Sequence, residues 1–175
     1  MKREIHHACR CTGQTFSFKE CSAYCKAHPD SGEIVFTFGK FGWNIFDVCM
    51  TPNGPVKWNK GKFNFEIETA QSPNGRWDYG YKYNSGISYS SSPVGFVPNS
   101  EKGFPSEKEA VYDALKYLEG RCVREIGECR DRAEYDDDGN VIKNVSALPL
   151  FNQMLVHIRK YKEVYDPGQL TLFEI

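Results

Sequence analysis

The chain has 175 residues, and its 22 Lys and Arg against 23 Asp and Glu give a net charge of −1 at pH 7. This length is sufficient to bury one hydrophobic core without disulfides. The near-neutral charge argues against a protein that coats nucleic acid, because binding to phosphates requires an excess of basic residues. The 7 cysteines are odd in number and accompany no secretion signal or long apolar run, so we expect reduced thiols, a cytoplasmic location and no membrane segment.

The first third of the chain predicts a short helix and a hairpin. A capping box begins at Ser17, and apolar residues then follow at helical spacing as far as His28. From Ile34 the apolar residues alternate with polar ones, which predicts a β-hairpin over 34–50.

The middle of the chain reads as strands joined by short turns. Apolar residues alternate over 62–68, and aromatic residues alternate over 77–83, with an Asn-Gly turn between them. Short turns of this kind favour an antiparallel meander. Residues 84–105 are rich in Ser, Gly and Pro, and predict a surface loop with at most one short strand near Val94 to Val97.

The last third of the chain predicts helices. A second capping box at Ser106 precedes an apolar stripe that continues to Gly120. A further helical stretch is predicted through Cys122, Ile126 and Cys129, although Gly120 and Gly127 weaken it. A final helix is expected after Pro149.

We therefore predict an α+β fold, an antiparallel meander of about four to six strands with one short N-terminal helix and two or three C-terminal helices. Residues 1–165 are expected to form a single domain, with a Cys- and His-rich segment over 1–30. Residues 166–175 are expected to form a flexible docking tail.

The most specific motif is Gln169-Leu170-Thr171-Leu172-Phe173. It resembles the pentapeptide (Gln-Leu, then Ser or Asp, then Leu-Phe) by which many bacterial replication and repair proteins bind the DNA polymerase sliding clamp. Thr171 departs from the usual Ser or Asp but keeps a small hydroxyl residue. The resemblance implies that Leu172 and Phe173 fill an apolar pocket while the Gln169 amide supplies hydrogen bonds. The alternative is that these apolar residues pack on their own domain as an edge strand.

Most of the 7 cysteines and 4 histidines lie within the first 28 residues. Thiolates and imidazoles are the ligands that tetrahedral Zn²⁺ prefers. The candidate zinc ligands are Cys9, Cys11, Cys21, Cys25 and His28. Their spacing is not a common zinc-finger spacing, and the alternative is that Cys21 and Cys25 are small buried residues of a helix.

Four aromatic residues share one face of the 77–83 strand, and several basic residues lie near them in sequence. Such a face could stack on single-stranded nucleic acid or bind a protein partner. The residues concerned are Trp58, Trp77, Tyr79, Tyr81 and Tyr83. The alternative is that the rings belong to a half-buried sheet, where tyrosine is common.

No phosphate-binding loop, nucleophile elbow or zinc-protease motif is present in the sequence, so an enzyme is not indicated. The working hypothesis is an accessory protein of a bacterium, or of a phage or other mobile element, that is recruited to replicating DNA by its clamp motif. The alternative is a small adaptor or inhibitor of the anti-defence type, which acts by binding a protein partner through its sheet.

Overall fold

The computed structural model describes residues 6–8, 15–17, 34, 36–44, 46–99, 101–131, 133–135, 141–143 and 147–168. These residues form an α+β fold, as predicted. In chain order the elements are β1 (His6–Ala8), β2 (Thr15–Ser17), β3 (Phe36–Phe38), β4 (Phe41–Trp43), β5 (Asn53–Lys60), β6 (Phe63–Gln71), β7 (Trp77–Ser85), β8 (Tyr89–Ser92), α1 (Glu107–Asp131), β9 (Ala133–Tyr135), β10 (Val141–Lys143) and α2 (Leu148–Val164).

A four-stranded antiparallel sheet forms the centre of the fold, with its strands in the order β5-β6-β7-β8. Each strand pairs with its neighbour in the chain, so the predicted meander is confirmed. Phe65 of β6 lies between Trp58 of β5 and Tyr83 of β7. Because side chains alternate across a strand, this register places the apolar residues of three strands on one face of the sheet.

Both helices pack on this apolar face, α1 against β6 and β7, and α2 against β5 and β6. They also pack against each other. The resulting main core is formed by Val56, Phe63, Phe65, Ile67, Tyr83, Val111, Ala114, Leu115, Leu118, Cys122, Ile126, Cys129, Phe151, Met154 and Ile158. At roughly 25 cal/mol per Å² of apolar surface, burial of this set makes the largest favourable contribution to the stability of the fold.

A second, smaller core lies at one end of the opposite face. The β3–β4 hairpin contributes Phe36, Phe41 and Trp43, which pack with Ala70 of β6 and Val94. The chain after β8 crosses this face so closely that a Cβ at Gly80 would stand 2.6 Å from the carbonyl oxygen of Ser92. The rest of this face is polar: Lys82 forms ion pairs with Glu68 at 2.7 Å and with Glu66 at 3.6 Å.

The capping box before α1 is confirmed. The Glu109 N–H donates to the Ser106 hydroxyl at 3.2 Å, and the Ser106 N–H donates to the Glu109 carboxylate at 3.2 Å. The further helical stretch through Cys122, Ile126 and Cys129 is confirmed, but it is not a separate helix, since α1 continues without a break through Gly120 to Asp131. Burial of Cys122, Ile126 and Cys129 on its inner side outweighs a cost of roughly 1 kcal/mol for each glycine.

Two further predictions require correction. The predicted strand near Val94 to Val97 is absent among the described residues of that segment, and strand β8 lies at Tyr89–Ser92 instead. A tight turn accounts for this difference: Gly86 has φ +77°, which an L residue rarely adopts, and it folds the serine-rich segment back onto β7. The predicted N-terminal helix over 18–28 is not one of the two helices, and its residues lie outside the described part of the chain.

Three short antiparallel pairs accompany the main sheet: β1–β2, β3–β4 and β9–β10. The β3–β4 pair confirms the hairpin that was expected after Ile34, but its strands cover 36–43 and not 34–50. Neither helix of the described residues has a stretch long and apolar enough to cross a membrane.

Candidate functional site

The predicted clamp-binding residues, Gln169 to Phe173, lie outside the described residues, but the segment that leads to them is described. Helix α2 ends at Val164, and the Tyr165 hydroxyl then donates to the carbonyl oxygen of Pro55 at 3.4 Å. The Asp166 carboxylate accepts the Gly168 N–H at 2.9 Å, which forms a tight turn. Pro167 and Gly168 are exposed.

The candidate zinc ligands Cys9, Cys11, Cys21, Cys25 and His28 also lie outside the described residues. Within the part of the chain that is described, no group of three or more His, Cys, Asp or Glu side chains could hold a metal ion. The side chains of Cys49, Cys122 and Cys129 are buried.

The aromatic residues predicted on β7 lie beneath helix α1. Tyr83 has 0% of its surface exposed and belongs to the main core. Tyr79 and Tyr81 are partly buried against that core, and their hydroxyls reach Asp113 at 3.3 Å and Tyr117 at 3.1 Å on α1. The structure thus brings these tyrosines together, and it directs each of them toward the helix.

The two tryptophans of this set lie apart from the three tyrosines. Trp77 packs edge-on against Phe41 at the second core, with ring centroids 5.8 Å apart. Trp58 lies on the edge strand β5, where its ring is stacked on Phe65 at 5.8 Å and tilted against His157 at 5.3 Å. It is half-buried.

A polar cluster that the sequence did not predict lies at the far end of α1. The Glu125 side chain is buried, and its carboxylate accepts three hydrogen bonds: from the Tyr83 hydroxyl at 3.1 Å, from the Ser88 hydroxyl at 2.7 Å and from Arg121 Nε at 3.0 Å. The Arg121 guanidinium lies over the Tyr83 ring, 5.0 Å from its centroid. The charge of the carboxylate is therefore balanced by Arg121, and its oxygens have hydrogen-bond donors, as a buried charge requires.

Two acidic groups at this cluster, the Tyr83 hydroxyl and the Cys122 thiol, have raised pKa values. Burial and the nearby Glu125 carboxylate hold the pKa of Tyr83 far above its ordinary value of 10.0. Burial raises the pKa of the adjacent Cys122 thiol from 9.0 to about 12. Both groups stay protonated at neutral pH, so neither supplies a nucleophile or a general base there.

A cleft of about 470 Å³ opens beside the cluster, between the β7–β8 turn and α1. Its walls are Ile87, Ser88, Arg121, Arg124, Glu125 and Glu128. Arg124 and Glu128 have no ion-pair or hydrogen-bond partner among the described residues. The cleft thus offers one cation and one anion at its rim.

One feature of the sequence does point to this cluster in hindsight. Glu125 falls on the apolar stripe of α1 between Cys122 and Ile126, and Arg121 stands four residues before it, at the spacing of a helical ion pair. A carboxylate on a buried stripe requires a partner in the core. Nothing in the sequence, however, identifies Tyr83 and Ser88 as its other partners.

Comparisons of the chain with models of known protein families, with curated protein sequences and with solved structures gave no match.

Proposed function

We propose that this protein is an accessory factor of a bacterium, or of a mobile element within one, that is held at replicating DNA by docking residues 169–173 on the sliding clamp. The observation that carries the proposal is the pentapeptide Gln169-Leu170-Thr171-Leu172-Phe173. It matches the clamp-binding pattern at four positions, and the remaining one, the third, holds the hydroxyl residue Thr171.

The segment before the pentapeptide supports the proposal. Tyr165 anchors the end of α2 to β5, whereas Pro167 and Gly168 are exposed. Gly168, the last described residue before Gln169, therefore lies at the surface of the domain. A docking peptide requires a surface position of this kind, because it must reach a pocket on another protein.

The energetics suit transient recruitment. Leu172 and Phe173 each contribute roughly 1.5–3 kcal/mol when they are fully buried, and the Gln169 amide adds directional hydrogen bonds. A complex of micromolar strength corresponds to about −8 kcal/mol, which is within reach of such a peptide. In this proposal the pentapeptide recruits the protein to DNA, and any activity there belongs to the α+β domain.

The direct test measures binding of the purified protein, and of a peptide covering 166–175, to a bacterial sliding clamp. We expect micromolar binding by both. Replacement of Leu172 and Phe173 by Ala should abolish it, since those two side chains supply most of the buried apolar area. Thr171→Ser is the matched control: it installs a residue usual in the motif and should retain binding.

A melting curve for each variant separates docking from a role within the protein's own core. Loss of clamp binding at an unchanged melting temperature supports the proposal. If the wild-type peptide fails to bind, and the double alanine variant melts several degrees lower, the apolar residues serve the fold and the proposal is wrong.

A further inference from the structure

The two edges of the main sheet differ in how they are protected. On β5, Pro55 has no N–H to offer to another strand, and its carbonyl oxygen accepts the Tyr165 hydroxyl at 3.4 Å. The Tyr161 hydroxyl donates a hydrogen bond of 3.3 Å to the carbonyl oxygen of Lys57, which lies two residues further along the same edge. Hydrogen bonds from Tyr161 of α2 and from Tyr165 just after it thus engage the backbone groups through which a second strand could pair with this edge.

No described residue protects the β8 edge in this way. The Ser85 N–H bonds to the Ser88 carbonyl oxygen at 3.0 Å, which fixes the alternation of hydrogen bonds along the hairpin. It follows that Tyr89 and Ser91 direct their N–H and C=O groups away from β7. Tyr89 is 66% exposed, Ser91 is also exposed, and β8 contains no Lys, no Pro and no bulge.

Helix α1 presents a row of polar side chains beside this open edge. Asp113 contacts Tyr79, Tyr117 contacts Tyr81, and Arg121 lies over Tyr83, so the row follows β7. Its members are Asp113, Tyr117, Arg121 and Arg124. Arg121 also reaches the Ser88 hydroxyl at 3.4 Å, just before β8. The row is acidic at one end and basic at the other.

We propose that two copies of this chain pair antiparallel through their β8 edges and form a two-fold dimer. Ser91 lies opposite Lys82, between the strand positions that meet Tyr117 and Arg121. With Ser91 of one protomer facing Ser91 of its partner, the two-fold axis brings Tyr117 opposite Arg121, and Asp113 opposite Arg124. A two-fold interface requires such self-complementarity, because every contact occurs twice.

The size of the surface sets the expected strength. The α1 row extends from Asp113 to Arg124, which is roughly 17 Å at 1.5 Å per residue, and β8 contributes four residues. This is smaller than the surface of a standard stable complex, which buries about 800 Å² on each partner. We therefore expect a monomer–dimer equilibrium with a dissociation constant on the order of 10 µM.

Sedimentation velocity of the full chain from about 1 to 200 µM tests the proposal, because that range brackets the expected constant. The weight-average mass should rise from monomer to dimer. Ser91→Pro removes one outward N–H without removing a bond to β7, and should weaken dimerisation at least tenfold. Ser91→Thr, which keeps the N–H, is the matched control and should dimerise like the wild type.

Charge reversal identifies the contact itself. Asp113→Arg and Arg124→Asp should each weaken the dimer about tenfold, and the double variant should recover it, because the exchanged charges again face each other. Circular dichroism checks that each variant is folded. A monomer at every concentration overturns the proposal, as does a dimer that neither Ser91→Pro nor the charge reversals affect.

Discussion

The Tyr83 hydroxyl on β7 donates a hydrogen bond of 3.1 Å to the Glu125 carboxylate on α1, and at most 5% of either residue is exposed. This bond joins the sheet to the helix within the core. A buried carboxylate that loses a donor keeps its desolvation cost without the compensating bond.

Removal of that donor should therefore destabilise the fold. We expect Tyr83→Phe to lower the free energy of unfolding by about 1–3 kcal/mol, although it removes a single oxygen atom. Tyr89→Phe is the matched control, and should change stability by less than about 0.5 kcal/mol because Tyr89 is exposed. Urea unfolding at pH 7 measures both. Equal effects of the two changes would show that the hydroxyl bond contributes nothing.

Stability should fall in alkaline solution. Burial raises the pKa of Cys122 from 9.0 to about 12 and the pKa of Tyr79 from 10.0 to about 12. Above pH 9 the unfolded chain releases these protons while the folded chain still holds them, so the unfolded state is favoured as pH rises. The contribution is fully present below pH 9 and is lost progressively above it.

Urea unfolding between pH 7 and 10.5 checks this dependence, the range following from the ordinary thiol and phenol values. Cys122→Ala should show a shallower fall between about pH 9 and 10, since it removes the thiol from the balance of protons. Stability that increases over this interval would contradict the assignment.

Replacement by Ala should change the stability of the fold in opposite directions at two glycines. A Cβ at Gly80 would stand 2.6 Å from both the Ser92 oxygen and the Val94 nitrogen, which are backbone atoms. We expect Gly80→Ala to cost about 1–3 kcal/mol, because the crossing chain must move. A Cβ at Gly120 on α1 meets nothing within 4 Å, so Gly120→Ala should gain about 0.5–1 kcal/mol. Thermal or urea unfolding of the two variants provides the comparison.

The zinc hypothesis leads to a separate measurement. If the N-terminal cluster binds Zn²⁺, protein purified without chelator should carry about one equivalent, and Cys21→Ser should release it and lower the melting temperature. Cys49→Ser is the control: Cys49 is buried in the second core, so its loss should destabilise the fold without releasing metal. Elemental analysis that finds no zinc in the wild-type protein would end the hypothesis.

Of the aromatic residues predicted to stack on single-stranded nucleic acid, Trp58 is the best placed. Tyr83 has no exposed surface, and Tyr79 and Tyr81 face α1. Trp77 packs at the second core. Trp58 shares strand β5 with the exposed Lys57 and Lys60. If bases stack there, an oligonucleotide should quench tryptophan fluorescence, and Trp58→Leu should weaken binding by about 1–3 kcal/mol. Absence of any binding at low salt would leave the Trp58 ring as part of the core.

The sequence predicted those features that depend on neighbouring residues. Alternation at Phe63, Phe65 and Ile67 identified β6 and its buried face, and the pairing of Ser106 with Glu109 identified the start of α1. These patterns can be read from a few neighbouring residues, because the interactions that produce them join residues close together in the chain.

Features that depend on distant partners were missed. That α1 passes unbroken through Gly120 depends on the sheet that buries Cys122 and Ile126, and the Glu125 cluster joins residues up to 42 positions apart. Strand β8 depends on pairing with β7, since its own composition, Tyr-Ser-Ser-Ser, resembles a loop. Propensity is a weak guide wherever tertiary contacts decide the conformation.

The topology of the sheet also implies an order of folding. Each strand from β5 to β8 pairs with the strand beside it in the chain, whereas α2 reaches β5 over separations of 93 residues at Lys60–Gln153 and 110 residues at Pro55–Tyr165. Closing such long loops is slow, so we expect the meander and α1 to assemble first and α2 to dock last. Until it docks, the part of the apolar face that α2 covers, on β5 and β6, is open to solvent, and the folding chain is then most exposed to aggregation.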